Sequence, residues 1–202
     1  MRVRRGWHVC AVALLVNSLS FALAATPAPA PQSFTQRREV KLAIDDFILT
    51  DQSGKAFRFN QLSGKVVLVG FAYTTCPDVC PLLTAAIRQV QSRLTSTERK
   101  DVQLLTITTD PEIDVPKVLA GYAKRYGADL DNWAFLTGEE KKLRAVWKNF
   151  GVGVKRKGRG LIDHTPLTAI VDRRGFLRVA YVGPSPEVRL VLGDLRSFLA
   201  DR

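Results

Sequence analysis

Apolar residues fall along this chain in short unbroken runs, separated by stretches where they recur every three or four positions, the signature of buried strands alternating with amphipathic helices. The run "VVLVGFAY", residues 66–73, is apolar and β-branched and follows the turn-like "SGK", which predicts a buried strand. From about 77 to 94, Leu83, Ile87, Val90 and Leu94 share one helical face. "VQLLTITTD" predicts a second buried strand, followed by a helix over about 115–126, then "NWAFLTG" and a helix over roughly 138–149. "LTAIVD" reads as a strand ended by the turn residues Arg173, Arg174 and Gly175; "FLRVAYVG" is another, and a last helix runs from about 186. Ahead of the first central strand, "FILTDQSGKAFRFNQLSGK" reads as a hairpin with "DQSG" as its turn. Alternating strand and helix argues for an α/β layered fold, a central β-sheet flanked by helices with an N-terminal β-hairpin extension. Periodicity leaves the strand order open.

The first residues follow a different pattern. Three arginines in "MRVRRGWH" precede the apolar segment "VCAVALLVNSLSFALAA", which ends in the small-residue pattern Ala22-Leu23-Ala24. Residues 1–24 therefore read as a secretory signal cleaved after Ala24, or as an uncleaved anchor, because the run is nearly long enough to span a bilayer although Asn17, Ser18 and Ser20 weaken its centre. Residues 25–39 read as a Pro/Ala-rich linker, since the alternating prolines of "TPAPAPQS" favour an extended chain that supplies no core. The folded domain is expected over residues 40–202, about 160 residues and enough for a single core. A composition of 46% hydrophobic and 24% charged residues suits a globular domain and excludes a disordered or multi-span chain. Export places that domain in a periplasm or on the extracytoplasmic face of a membrane.

Export changes the meaning of the cysteines. Cys10 lies in the leader, so the domain keeps only Cys76 and Cys80, set in "FAYTTCPDVCPLL" directly after the first buried strand. The pair reads as a structural disulfide, a redox couple or part of a metal site. In the unfolded-state account a staple gains with the length of the loop it closes, and this pair closes almost none, so reversible thiol chemistry or metal binding is the better motive. If the segment is helical from Pro77, the two cysteines share a face with Cα atoms about 6 Å apart, near the upper part of the disulfide range. A helix N-terminus also favours thiolates. His8 lies in the leader, which leaves His164, in "LIDHTPLTAIVDRRG", as the domain's single histidine; Met1 is the only methionine, so no thioether ligand remains. A lone histidine is more often a satisfied core or surface residue than a ligand.

"FAYTTCPDVCP", "TITTDPEIDVPKVLAGYAKRYG", "FLTGEEKKLRAVWKNFGV" and "DHTPLTAIVDRRGFLRVAYVG" follow in an order and spacing that resemble the Sco/SenC family, which assists synthesis of cytochrome c oxidase. The resemblance covers the chain from about Val40 onward. It implies a thioredoxin-like fold with a central mixed β-sheet, outside the cytoplasmic membrane, holding one copper per chain through Cys76, Cys80 and His164. It also implies that the copper is passed to, or used to prepare, the dinuclear centre of cytochrome c oxidase subunit II or another copper acceptor, by a monomeric metallochaperone rather than an enzyme. The donor set agrees, because thiolates favour Cu(I) while two thiolates and an imidazole also hold Cu(II). Zinc, the rival metal, wants a fourth ligand in a closed site. Asp78, Asp110 and Asp163 are candidate supporting groups or an added ligand, although each also reads as a turn or helix-start residue.

Two alternatives stay open. Cys76 and Cys80 suit a thiol-disulfide reductase, whereas a peroxiredoxin-like site needs a threonine and a proline where Tyr73 and Val69 stand. A static disulfide is the weaker reading. Thioredoxin-like proteins also place a cis-proline before a central strand, so a cis Thr165–Pro166 bond is expected to turn His164 toward the cysteines. The family resemblance weakens at "KRKGRG", residues 155–160, where Lys155, Arg156, Lys157 and Arg159 are expected to steer an acidic partner. The formal net charge is +11; without Arg2, Arg4 and Arg5 it is 27 basic against 19 acidic residues, or +8. For an exported protein this argues against nucleic acid and for an acidic partner face or anionic lipid, with the N-terminus as a possible membrane attachment.

Overall fold

The computed structural model describes residues 35–201. The leader over 1–24 and the linker up to residue 34 lie outside the described residues. Ten strands and five α-helices follow: β1 (Gln36–Ala43), β2 (Ile48–Asp51), β3 (Ala56–Arg58), β4 (Val66–Ala72), α1 (Val79–Arg93), α2 (Ser96–Asp101), β5 (Val102–Thr108), α3 (Pro116–Arg125), β6 (Trp133–Thr137), α4 (Glu140–Asn149), β7 (Val154–Gly158), β8 (Leu161–His164), β9 (Leu167–Val171), β10 (Phe176–Val182) and α5 (Val188–Ala200). Among the described residues no helix is long and apolar enough to cross a membrane.

Eight strands form one mixed sheet in the order β1-β10-β9-β4-β5-β6-β2-β3, and β7 with β8 forms a separate hairpin. β4, β5 and β6 are parallel neighbours, in register from Val66↔Val102 to Ala72↔Thr108 and from Leu104↔Trp133 to Ile107↔Leu136. The unbroken apolar runs of the sequence have a simple cause here, because helices cover both faces of these strands and each alternate residue meets a different layer. Val67, Val69 and Phe71 pack with Leu143, Val146 and Trp147 of α4. Val66 and Leu68 pack on the opposite side with Leu83 and Ile87 of α1, Leu119 of α3 and Val191 of α5.

The hairpin around "DQSG" forms as expected: the Gly54 N–H bonds to the Asp51 carbonyl at 3.0 Å, and the Asp51 carboxylate accepts from the Ser53 and Lys55 N–H groups at 2.8 and 3.0 Å. Its partner is β6, at the far side of the sheet from the other edge strand. That edge strand, β1, begins at Gln36, four residues ahead of the boundary expected at 40, so residues 36–39 belong to the sheet and not to a linker. Its burial pattern explains the difference, since seven of its eight residues are exposed and carry no apolar alternation. β1 is set by backbone pairing with β10, from Gln36↔Val182 to Ala43↔Phe176. Where it enters the sheet, Gly183 stands so close that a Cβ there would meet Thr35 Cα at 2.6 Å, and its own N–H bonds to the Pro166 carbonyl at 2.9 Å. The six-residue α2 was also unforeseen; a capping box between Thr95 and Glu98 starts it.

Gly70 is the point where α1 meets the central strand. A Cβ at this position would lie 2.6 Å from Ile87 Cδ1 and 2.9 Å from Leu83 Cδ2, and both side chains are 1% exposed with no room to retreat. Gly70→Ala is therefore expected to lower stability by about 1–3 kcal/mol through overpacking. Urea unfolding of the reduced protein measures it; an unchanged or higher midpoint would show that α1 is free to shift.

Candidate metal centre

β4 ends at Ala72, and the loop that follows carries Cys76 back over the start of α1. The helix begins at Val79, two residues later than the sequence suggested, so Cys76 lies outside it and the shared-face geometry is not what joins the cysteines. Pro81, the third helical residue, is tolerated because N–H groups in the first turn have no partner within the helix. The N-cap residue, Asp78, makes no side-chain capping bond. Its place is taken by the Cys76 sulfur, which accepts the Cys80 backbone N–H at 3.4 Å. Cys80 itself is 1% exposed, in a small apolar cluster with Ala72, Tyr73 and Ile162.

These surroundings split the two thiols. The Cys76 pKa falls from 9.0 to about 5, chiefly because the Cys80 thiol donates to its sulfur; the Asp78 and Cys80 backbone N–H groups and the Tyr73 hydroxyl add to this, while burial opposes it. Cys80 is pushed strongly upward, first by its bond to the neighbouring sulfur and then by burial. Cys76 is thus a thiolate near neutral pH, and Cys80 keeps its proton until a metal or a base removes it.

His164 arrives from the other side. It closes β8, directly across from Val154 of β7, and its Nε2 stands 3.6 Å from Cys80 Sγ. Nδ1 lies 3.0 Å from the Thr165 carbonyl oxygen, which only accepts, so Nδ1 carries the proton and Nε2 presents its lone pair to the sulfur. Burial holds the His164 pKa below its ordinary value, which keeps the ring neutral. The Tyr73 ring meets it edge-on at 5.9 Å. Among the described residues no three His, Cys, Asp or Glu side chains are gathered closely enough to hold a metal as they stand. Cys80 and His164 face each other, while the Cys76 sulfur is turned to the helix end.

Three expectations need correction. The Thr165–Pro166 peptide is trans, as are all described peptide bonds. His164 is delivered instead by the β7–β8 hairpin, whose base is closed by the Thr165 N–H on the Gly153 carbonyl at 2.9 Å. Asp110 is not a free carboxylate available as an added ligand, because it is fully buried and pairs with Arg156 at 3.0 Å, while Asp78 and Asp163 are exposed, the latter 3.6 Å from Lys157. Nor are the four basic residues a free patch: Arg156 also pairs with Glu112 at 3.0 Å, Arg159 stands 4.0 Å from Glu112, and Lys155 alone has no ion pair among the described residues. Sequence reasoning missed Asp114, a buried carboxylate that accepts from the Thr74 N–H at 3.1 Å, the Thr74 hydroxyl and the Thr108 hydroxyl, and so ties down the loop ahead of Cys76. Its spacing of four from Asp110 in "DPEID" was the available signal.

The sequence profile of the SCO1/SenC family matches residues 35–200. The chain belongs to the SCO1/SenC family. It is 38% identical to the SCO1 protein homolog of Bacillus subtilis over 143 residues, which covers 69% of this chain and 74% of that protein. Among solved structures it resembles BsSco, described as a Sco family cytochrome c oxidase assembly protein with a disulfide switch, at a TM-score of 0.70 and 28% identity over 81% of this chain and 97% of that one. It also resembles Bradyrhizobium japonicum ScoI with copper bound, at a TM-score of 0.63 and 28% identity over 77% and 99%. The fold of this family member is thioredoxin-like, an α/β arrangement about a mixed central sheet.

The split between the thiols is directly measurable. Below pH 5 Cys76 is protonated and slow to alkylate; its iodoacetamide labelling is expected to rise through about pH 5 and level off by neutrality, with Cys80 unlabelled on the same timescale. Peptide mapping across pH 4–9 checks this, and a Cys76 rate still climbing above pH 8 would contradict the assignment.

Proposed function

We propose that this chain takes up copper as cargo through Cys76, Cys80 and His164 outside the cytoplasmic membrane. It then passes the copper to a copper-acceptor protein, foremost the dinuclear centre of cytochrome c oxidase subunit II. The observation that carries this reading is the neutral His164 Nε2, held 3.6 Å from Cys80 Sγ with its tautomer set by the Thr165 carbonyl. A thiol exchanger has no need of an oriented imidazole lone pair, whereas a metal site does. Two thiolates suit Cu(I), and the added nitrogen lets the site keep Cu(II), so a carrier with this donor set serves in either oxidation state. Support also comes from the copper bound to the Bradyrhizobium relative and from the oxidase-assembly role stated for BsSco. Loading begins at the Cys76 thiolate and releases the Cys80 proton, so affinity rises with pH.

Thiol-disulfide exchange is the second reading, favoured by the unequal cysteines. The Cys76 thiolate attacks a sulfur of a partner disulfide and forms a mixed disulfide, and the departing partner sulfur leaves as a thiolate. Cys80, once it loses its proton, attacks Cys76 Sγ, closing the Cys76–Cys80 bond and releasing the partner as a dithiol. Both electrons come from the two cysteines.

His164→Ala separates the readings. It is expected to keep most of any disulfide-reducing activity and much of the Cu(I) affinity, yet to weaken Cu(II) binding at least about tenfold and to fail in acceptor metallation, because the harder ion relies on nitrogen. Cys76→Ser and Cys80→Ser lose both activities. The measurements are an anaerobic copper titration of the reduced protein, saturating at one metal per chain in the wild type, and acceptor metallation in cells lacking the native protein. Full metallation by His164→Ala would leave the reductase reading.

A further inference from the structure

His164 is held at the end of a hairpin that belongs to no larger sheet, so something must fix that hairpin on the domain. The pairing Val154↔His164 and Arg156↔Ile162 places these four side chains on one face, because residues two apart on a strand and directly opposed across a pair point the same way. Ile162 is buried against Tyr73 and Cys80, and Val154 packs beside it. Lys155, Lys157, Leu161 and Asp163 take the outer face. Arg156, although its side chain stays about a third exposed, is therefore the charged side chain on the face that meets the domain.

It turns inward to meet Asp110, just beyond the end of β5. The Asp110 side chain is 0% exposed; Oδ1 accepts from Arg156 Nη2 at 3.0 Å, and Oδ2 has no hydrogen-bond partner. A carboxylate this deep is costly unless a cation answers it, and Arg156 is the only cation paired with it among the described residues. The guanidinium fork holds Glu112 at 3.0 Å with its other arm, so one side chain clamps the hairpin to two points of the β5–α3 loop. Apart from this clamp, the hairpin's polar side-chain contacts with the domain are the Thr75 hydroxyl on the Gly160 carbonyl at 3.1 Å, the exposed Arg159 at 4.0 Å from Glu112, and the 3.6 Å approach of His164 Nε2 to Cys80 Sγ.

We propose that Arg156 and Asp110 are the positioning pair that sets where His164 stands relative to the two sulfurs. Losing the pair frees the hairpin and with it the nitrogen donor, while the cysteine loop, tied separately to Asp114, stays in place. The ligand role of His164 rests on the proposed function; the mechanical link from Arg156 to the hairpin does not.

The experiment compares Arg156→Met, Arg156→Lys and the double variant Arg156→Met/Asp110→Asn in the full reduced protein. Arg156→Met strands a buried charge and is expected to unfold earlier. The double variant removes both charges and recovers most of that loss, which keeps the test independent of folding. In the metal-free double variant, amides of residues 154–164 are expected to exchange at least about tenfold faster than in the wild type, with those of β4 and α1 unchanged. With copper added, the histidine nitrogen splitting in the Cu(II) spectrum weakens and Cu(II) affinity falls about tenfold, while Cu(I) affinity holds. Arg156→Lys restores the charge without the fork and recovers part of each effect. Wild-type exchange across the hairpin in the double variant would overturn the proposal. A wild-type protein without a histidine-dependent Cu(II) signal would instead overturn the copper reading, and the exchange measurement would still decide the clamp.

Discussion

Parallel pairing of β4 with β5, buried on both faces, is the constraint on which the rest depends. Their register ends at Ala72↔Thr108, so the two chains leave the sheet side by side at one edge. The loop from β4 carries Cys76, and the loop from β5 carries Asp110 and Asp114. Because both loops rise from the same edge, the carboxylates lie beneath the cysteine loop and within reach of the hairpin. Neither strand can shift without moving residues that the helices on both sides enclose.

The two buried aspartates solve one electrostatic problem in different ways. Asp114 is satisfied by hydroxyl and amide donors alone, and desolvation pushes its pKa upward despite them. Asp110 instead recruits a cation from a distant part of the chain. One holds the thiols and the other holds the imidazole, so the site is assembled from two separately anchored halves. That division accounts for the three side chains not being gathered at one point: Cys80 and His164 are set by burial and hydrogen bonding, while Cys76 satisfies the helix N-terminus with its sulfur.

Much of the fold was legible because the buried strands are long apolar runs and the helices carry one apolar face. Hidden from this kind of reading were the elements whose residues stay wet. β1 is exposed along nearly its whole length, and β7 reads as a basic loop because Lys155, Arg156 and Lys157 are all exposed, although the Arg156 guanidinium reaches back to the buried Asp110. A period of two was present in "VKRKG" but with Val154 as its single apolar residue, so hydrophobic patterning passed over it. Cys76, Cys80 and His164 stand out in sequence by residue type and by elimination, and the structure brings Cys80 and His164 together across 84 positions of chain. The means of doing so was not legible: Pro166 suggested a turned peptide, yet an ordinary extended strand does the work.

The entry of β1 into the sheet has a consequence for the site. Gln36 pairs with Val182, Val182 with Leu167, and β9 lies beside β4, so the first described strand starts at the same edge of the sheet from which the cysteine loop leaves. The separation is three strand spacings, about 14 Å. The N-terminal edge strand and the cysteine loop therefore share one end of the domain, and a change in the pairing of β1 with β10 is made at the end that bears the thiols, not at the opposite pole.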